Sequence, residues 1–223
     1  MSEYKVAEVF ASINGEGVRA GQLAVFVRFC GCNLNCLNCD TTWANPPDAP
    51  GTIYETDRLV REVRKYGIRN VTVTGGEPLL NRQIGDFFRA LTEADPGIRI
   101  EVETNGSISP EPFLKEFPAI TWTMDYKLPG SGMESRMDPE AFRLLRPCDT
   151  VKFVVGSRED LLRATEVTAS LHLTERCHVF YSPVFGRIDP EEIVEFMKEF
   201  RQNEVTLQLQ MHKVIWDPNA RGV

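Results

Sequence analysis

The sequence predicts an α/β fold, specifically a partial, TIM-like βα barrel of about six βα units. Two observations support this prediction. Apolar, β-rich runs alternate with helix-period segments from about residue 20 onward, and polar motifs stand directly after several of these runs. Because the C-terminal ends of parallel barrel strands open on the same rim, polar motifs at successive strand ends indicate one shared site.

The predicted strands are short runs rich in β-branched and aromatic residues. They are residues 23–29, 71–75, 98–104, 119–126, 150–156, 177–182 and 205–210. Between them, Thr56 or Asp57 is predicted to cap a helix that Gly67 ends. Asp–Pro pairs at 138–139 and 189–190 are predicted to be N-cap and N1 positions of two further helices.

Length and composition predict a single domain over residues 1–223 of a cytoplasmic protein that acts on small molecules. The net charge of −7 argues against a broad basic face for nucleic acid. The N-terminus lacks the pattern of a secretory signal, and the longest apolar stretch is too short to cross a bilayer. In the cytosol thiols stay reduced, so clustered cysteines are expected to bind metal or to catalyse.

Four of the six cysteines fall within residues 30–39, CGCNLNCLNC. Cys32, Cys36 and Cys39 have the spacing C-x3-C-x2-C on a loop that follows the first predicted strand. Three thiolates on a short loop can hold a 4Fe–4S cluster and leave one iron open for a ligand. The alternative is a structural zinc knot that also uses Cys30, although the segment offers only one of the two hooks that such knots usually pair.

Arg28 lies within an apolar predicted strand, where an unpaired guanidinium would be costly. It therefore needs an anion, and the guanidinium fork fits a carboxylate in bidentate fashion. The partner is either a carboxylate on a bound molecule or an internal glutamate such as Glu77 or Glu101.

The cysteine spacing followed by a strand-end GGEP resembles the signature of the radical S-adenosylmethionine enzymes. A longer series of motifs, in matching order, resembles the 7-carboxy-7-deazaguanine synthase family. The series is SINGEG at 12–17, FVRFCGCNLNCLNCDT at 26–41, TGGEPLL at 74–80, ETNG at 103–106 and LQMHK at 209–213. The cysteine triplet alone indicates only the superfamily, and the remaining motifs narrow the resemblance.

The resemblance implies roles for individual positions. Cys32, Cys36 and Cys39 would hold the cluster, and Thr41 would bind Mg²⁺. S-adenosylmethionine would lie against Asn38, Cys39, Asp40, Gly76, Glu77, Asp125, Tyr126, Lys127, Ser182, Pro183, Val184 and Phe185. The substrate would contact Ile13, Asn14, Gly15, Glu16, Arg28, Thr74, His212 and the terminal carboxylate of Val223.

Three positions depart from the family pattern. Family members commonly carry glutamine where this chain has Asn14, Ser-Pro-Lys where it has residues 125–127, and glutamine where it has Ser182. At these three places the side-chain contacts of the family do not carry over directly to this chain, although contacts made by the backbone would survive the changes.

By resemblance, the chain is a lyase that converts 6-carboxy-5,6,7,8-tetrahydropterin to 7-carboxy-7-deazaguanine and ammonia, with S-adenosylmethionine used catalytically. A flavodoxin- or ferredoxin-type reductant and a homodimer are implied, with no nucleic-acid or membrane partner. Two other classes share the cysteine pattern. One is a radical activase acting on a partner protein, and the other is a non-enzymatic iron–sulfur carrier or zinc-binding module, which leaves the other motifs unexplained.

Overall fold

The computed structural model describes residues 2–223 as one nine-stranded sheet with its helices. The strands are β1 (Glu3–Ile13), β2 (Leu23–Phe29), β3 (Thr52–Glu55), β4 (Asn70–Gly75), β5 (Arg99–Thr104), β6 (Thr121–Tyr126), β7 (Thr150–Val155), β8 (His178–Pro183) and β9 (Val205–Leu207). The helices are α1 (Thr56–Arg64), α2 (Ile84–Ala94), α3 (Glu111–Leu114), α4 (Pro139–Phe142), α5 (Arg158–Ser170), α6 (Pro190–Glu199) and α7 (Met211–Ile215). Among these residues, no helix is both long and apolar enough to cross a membrane.

The strand order confirms the predicted α/β fold. The order is β3-β1-β2-β4-β5-β6-β7-β8-β9, and every pair from β2 to β9 is parallel. Each parallel neighbour is reached by a crossover, as βα units require. Over residues 2–223 the two edge strands, β3 and β9, do not pair with each other, so the barrel is incomplete.

Two strands were not among those predicted from the sequence. β1 pairs antiparallel with both β2 and β3, which adds an antiparallel edge to the parallel sheet. As a result, the cysteine loop follows the second strand of the chain rather than the first. It still follows the first strand of the parallel part, and therefore lies on the rim where the site was expected.

Of the three N-caps predicted from the sequence, those of α4 and α6 are confirmed. The side chains of Asp138 and Asp189 accept hydrogen bonds from backbone N–H groups in the first turns of α4 and α6. The prediction for α1 was wrong, because Glu55 occupies the N-cap position. Thr56 does not cap the helix, since its hydroxyl donates to the carbonyl of Ser2 at 3.3 Å.

Successive side chains of a strand point to opposite faces, and here the two faces differ in character. The outer face packs against the helices and is apolar. Its buried residues include Val71, Val73, Ile100, Val102, Trp122, Met124, Val151, Phe153, Val179 and Tyr181. Phe88 of α2 meets the ring of Trp122 edge-on at 6.5 Å, which shows how the helix layer closes on the sheet. The inner face is left to polar residues.

A close backbone contact fixes the cysteine loop against the end of β4. The N–H of Gly76 donates to the carbonyl of Phe29 at 3.1 Å, and the N–H of Glu77 donates to that of Gly31 at 2.8 Å. A Cβ at Gly76 would collide with the Gly31 carbonyl and would lie 2.9 Å from the Cβ of Cys32. Glycine is needed here because two backbones approach without room for a side chain.

We predict that Gly76→Ala lowers the free energy of unfolding of the apoprotein by roughly 3 kcal/mol, because a methyl group placed against backbone forces the two segments apart. Chemical denaturation monitored by circular dichroism measures the change. Gly85→Ala is the matched control, because its Cβ would meet Phe113 at an ordinary 3.5 Å within α2. Equal stability of the two variants would contradict the prediction.

Candidate active site

The inner face of the parallel strands is a buried polar surface. Its members are Thr72, Thr74, Glu101, Glu103, Thr121, Thr123, Asp125, Lys152 and Ser182. They bond to one another across neighbouring strands, as when the Thr123 hydroxyl donates to the Glu101 carboxylate at 2.7 Å. Buried polar groups need such partners, so a polar inner face requires a closed network. We call this surface the lumen.

The three thiols of the predicted cluster site belong to one loop at the rim of the lumen, although over residues 2–223 no three Cys, His, Asp or Glu side chains already form a metal-binding group. The Cys32 sulfur accepts hydrogen bonds from the N–H of Leu34 at 3.4 Å and from the Asn105 amide at 3.6 Å. The Asn45 amide donates to the Cys39 sulfur at 3.3 Å. Donors aimed at sulfur are the arrangement that stabilises bound thiolates in iron–sulfur proteins.

The thiols also influence one another electrostatically. Burial raises the pKa of Cys32 and of Cys36, and the neighbouring Cys39 raises both further. The Lys127 ammonium acts in the opposite direction on Cys36 and lowers its pKa. Three soft donors on one short loop favour a shared metal group over free thiols. The residues present therefore fit a cluster held by three cysteines.

Cys30 is not positioned with these three. Its sulfur contacts the carbonyl of Pro50 at 3.6 Å and leaves no room for a Cβ at Gly51. None of its described contacts is shared with Cys32 or Cys39. The zinc knot considered from the sequence needed Cys30 as its fourth ligand, and the fold does not supply it.

Glu77 of the GGEP motif is turned into the protein. Its carboxylate accepts hydrogen bonds from the N–H of Leu79 at 2.9 Å, the Thr104 hydroxyl at 2.8 Å and the N–H of Asn105 at 2.7 Å. Burial raises its pKa to about 7 despite these donors. The carboxylate thus ties the end of β4 to the end of β5.

The loop after β1 closes over the lumen. Asn14 is buried, and its amide oxygen accepts from the Thr72 hydroxyl at 2.7 Å, while its amide nitrogen is buried without a protein partner. Gly17 exchanges two hydrogen bonds with the Gln208 side chain, at 2.7 and 3.0 Å. The predicted substrate loop, which begins at Ile13, is therefore held from below by β4 and from above by the segment after β9.

Glu16 connects this loop to the strand ends. Its two carboxylate oxygens accept from the Ser182 hydroxyl and from the Lys152 ammonium, both at 2.9 Å. Lys152 in turn lies 3.2 Å from Asp125, which lies 2.7 Å from Lys127. Charges on two neighbouring strands and one loop, together with the hydroxyl of Ser182 on a third strand, therefore form a single network.

Arg28 has an internal partner, but not one of the two considered. Its Nε donates to the Glu8 carboxylate at 2.8 Å, whereas Glu77 and Glu101 are engaged elsewhere. Glu8 lies opposite it on β1, a strand that the sequence did not reveal. On its other side Arg28 is in register with Thr74 of β4, which brings two expected substrate residues together.

Tyr126 corrects an expectation. Its ring is buried against Phe142 and Phe153 at centroid distances of 5.2 and 5.6 Å, and its hydroxyl meets Glu134 at 3.4 Å. Because it follows Asp125 on the strand, its side chain points to the outer face. The ring belongs to the apolar core, so only its backbone remains available to a cofactor.

The residues after the last cluster thiol are also held in place. The Asn38 amide oxygen accepts from Arg187 at 2.7 Å. The Thr41 hydroxyl donates to Asp40 at 3.1 Å, and Lys213 lies 3.5 Å from the Asp40 carboxylate. A hydroxyl beside a carboxylate at this rim offers the oxygen ligands that Mg²⁺ prefers.

The segment that follows β8 reaches the same rim. Pro183 ends the strand, and the N–H of Val184 donates to the carbonyl of Val155 at 2.8 Å. Phe185 is 55% exposed, and the Lys213 ammonium lies 5.9 Å from the centre of its ring. An exposed aromatic side chain at the rim is available to stack on a ligand.

The C-terminal segment forms the roof of the site. His212 lies against Gly15, where a Cβ would be 2.7 Å from its Nδ1, and burial lowers its pKa, so its imidazole is neutral near pH 7. Further on, the Arg221 guanidinium stacks on Trp43 at 4.4 Å. This contact brings Arg221 to the segment that follows the cysteine loop.

Comparisons with known proteins agree with this geometry. The model of the radical SAM superfamily matches residues 26–119. The chain is 50% identical to the 7-carboxy-7-deazaguanine synthase of Clostridium acetobutylicum over 220 residues, 99% of each chain. It is 36% identical to that of Chlorobaculum tepidum, over 98% of this chain and 96% of the relative. The chain belongs to the 7-carboxy-7-deazaguanine synthase family.

A solved structure confirms the fold of this synthase family member. The crystal structure of QueE from Escherichia coli superposes with a TM-score of 0.73 at 21% identity, covering 94% of this chain and 95% of that one. Membership in the radical SAM superfamily gives the enzyme a 4Fe–4S cluster and S-adenosylmethionine as cofactors, and the matched residues 26–119 contain Cys32, Cys36 and Cys39.

Four residues of the site were missed by sequence reasoning: Glu8, Arg19, Asn45 and Lys152. Three others were noted without the contacts that the structure shows, Glu101 as a candidate partner of Arg28, and Glu103 and Asn105 within the ETNG motif. For the lumen residues a signal was available. Polar side chains recur at every second position of apolar strands, as in VTVTG (71–75) and TWTMD (121–125). Such alternation in a parallel sheet, which is usually apolar on both faces, marks a polar interior.

We predict that Glu103→Gln flattens the pH dependence of the stability of the apoprotein. Burial raises the pKa of Glu103 to about 7 from an ordinary value of 4.5. The folded state thus favours the protonated acid, and this contribution is full below pH 4.5 and is lost as the pH rises through 7. The shift corresponds to about 3 kcal/mol.

Denaturant unfolding at pH 4.5, 6 and 7.5 measures this effect. The wild type should lose stability relative to Glu103→Gln over that interval, while Glu93→Gln, a surface change on α2, should track the wild type. Parallel pH profiles for wild type and Glu103→Gln would show that residue 103 does not contribute.

Proposed function

We propose that this chain converts 6-carboxy-5,6,7,8-tetrahydropterin to 7-carboxy-7-deazaguanine and ammonia, as a radical SAM lyase of 7-deazapurine (queuosine) biosynthesis. One observation carries the proposal: the thiols of Cys32, Cys36 and Cys39 lie at the rim of a polar lumen whose other rim residues match the family's substrate positions. The product is inferred from the names of the relatives, which are 7-carboxy-7-deazaguanine synthases.

The cofactors are proposed to bind next to the cysteine loop. The cluster and S-adenosylmethionine, bound there, supply the radical chemistry that the protein itself cannot. The residues that would hold S-adenosylmethionine lie around them: Asn38, Asp40, the Gly76 backbone, Asp125, the Tyr126 backbone, Lys127 and the stretch from Ser182 to Phe185. Their task is to bind and orient the cofactor and to keep water out of the lumen.

The substrate side offers matching chemistry for a carboxylated pterin. Arg28 uses only its Nε towards Glu8, which leaves its terminal nitrogens for a carboxylate. The buried Asn14 amide nitrogen is a donor without a protein partner, and such a donor is costly unless a ligand accepts from it. Glu16 and the neutral His212 would accept from ring N–H groups. Mg²⁺ at Thr41 would join the substrate carboxylate.

The roof of the site favours a small substrate. Residues 208–212 are hydrogen-bonded to the loop 14–17, so the lumen is covered on the side where a radical activase would need to admit a partner protein. The terminal carboxylate of Val223 would complete this cover, in line with the stacking of Arg221 on Trp43.

The enzyme is also proposed to need an electron donor and to form a homodimer. A one-electron donor is required by the cofactor chemistry, and a flavodoxin- or ferredoxin-type reductant fills that role in the cytoplasm. We also propose a homodimer. The exposed apolar side chains of Val214 and Ile215, at 72% and 52% exposure, offer a surface that a second copy would cover.

The decisive experiment is anaerobic reconstitution with iron and sulfide, followed by turnover with the pterin, S-adenosylmethionine, Mg²⁺ and dithionite. The protein should carry no C-terminal tag, because a tag would block the proposed contact of Val223. Mass spectrometry should detect 7-carboxy-7-deazaguanine. Formation of 5′-deoxyadenosine without this product would support the radical chemistry but contradict the proposal that the pterin is the substrate.

We predict that Arg28→Ala lowers kcat/KM for the pterin at least about thirtyfold, since removing one partner of a buried charge pair costs ~2 kcal/mol or more. The measurement is steady-state product formation, with thermal unfolding as a check that the variant folds. Arg58→Ala is the matched control, because its guanidinium lies on the Tyr54 ring at the surface. If kcat/KM is unchanged in a folded Arg28→Ala enzyme, Arg28 does not bind the substrate carboxylate.

A further inference from the structure

Lys152 is a buried lysine that no step of the proposed reaction uses. It lies in β7 with 7% of its surface exposed and faces the lumen. Its ammonium is 2.9 Å from Glu16 and 3.2 Å from Asp125. Taking an ammonium out of water costs several kcal/mol unless its partners are well placed, so a lysine here calls for an explanation.

Its surroundings keep it charged. Burial acts against the ammonium, but Asp125, Glu16 and Glu103 together raise the pKa of Lys152 well above its ordinary value. It is therefore a cation near neutral pH. Two other cations lie near the lumen carboxylates: Lys127, 2.7 Å from Asp125, and Arg19, 3.5 Å from Glu101 in the segment between β1 and β2.

The contacts of Lys152 join two halves of the site. On one side is Glu16, whose other oxygen is fixed by Ser182 at 2.9 Å. On the other side is Asp125, whose second oxygen accepts from Lys127 at 2.7 Å. The network thus runs from the substrate loop to Lys127, at the end of β6 on the proposed cofactor side.

We propose that Lys152 is a positioning residue, which fixes the Glu16 carboxylate over the lumen and Asp125 on the cofactor side, so that substrate and S-adenosylmethionine are set in register. The proposal rests on the roles given above to Glu16 and Asp125. Because both Glu16 oxygens are held by protein donors, its orientation exists before substrate binds, and that is the condition for efficient positioning.

A purely structural role would give a different result. If Lys152 only balanced the lumen carboxylates, its loss would lower stability and leave the folded enzyme's response to substrate unchanged. If it positions Glu16, its loss would loosen the substrate relative to the cofactor. Radical formation would then continue while transfer to the substrate failed more often.

The test compares Lys152→Met, Lys152→Arg and Ser182→Ala in the reconstituted full-length enzyme, with Lys65→Met, an exposed partner of Glu62, as control. The readouts are the KM for the pterin, the ratio of 5′-deoxyadenosine to product, and the Tm. We expect Lys152→Met to raise both KM and the ratio at least tenfold. Lys152→Arg should restore part of each, and Ser182→Ala should move both in the same direction by less. The control should match the wild type.

Two results would overturn the inference. One is a folded Lys152→Met enzyme with lowered Tm but wild-type KM and ratio. The other, if Lys152→Met does not fold, is wild-type KM and ratio in both Lys152→Arg and Ser182→Ala. Failure of the wild type to make 7-carboxy-7-deazaguanine would instead contradict the proposed function, so the two failures are distinguishable.

Discussion

Lys152, Glu16 and Asp125 lie inside the sheet, where an ion that lost its partners would cost several kcal/mol. Such a lumen can exist only if the other face of the same strands supplies the stability. That face packs a continuous apolar core against the helices, with Trp122 and Phe153 fully buried. Because side chains alternate along each strand, the outer face stabilises the fold and the inner face carries the polar residues of the site.

The charged lumen also has to be covered, and the antiparallel strand β1 makes this possible. β1 delivers the loop 14–17 directly above the strand ends, where Gly17 bonds to Gln208 and Glu16 reaches Ser182. The roof is therefore made of two chain segments that are far apart in sequence. Excluding water in this way strengthens every ion pair beneath it.

The parallel strands and the cysteine loop could be predicted because their signals are local. β1 was missed because its register shifts between Val6 and Glu8, which interrupts the alternation that marks a strand. β3 has only four residues. The partners in the site could not be paired from one sequence either, since Glu16 and Lys152 are 136 positions apart. Motifs marked where the site lies, but the contacts of individual residues, including Glu103 and Asn105 of ETNG, could be read only from the fold.

The backbone, rather than the side chains, holds the cysteine loop against the lumen. Gly31 and Gly76 meet through their main chains, and Glu77 bonds the end of β4 to Asn105. This arrangement leaves side chains free to differ, and two departures from the family pattern, Asp125 and Ser182, both belong to the Lys152 network. A serine at 125 would leave Lys152 with Glu16 as its remaining close ion-pair partner among the described residues. The two departures are therefore physically linked, because each supplies a partner to the same Glu16–Lys152 pair.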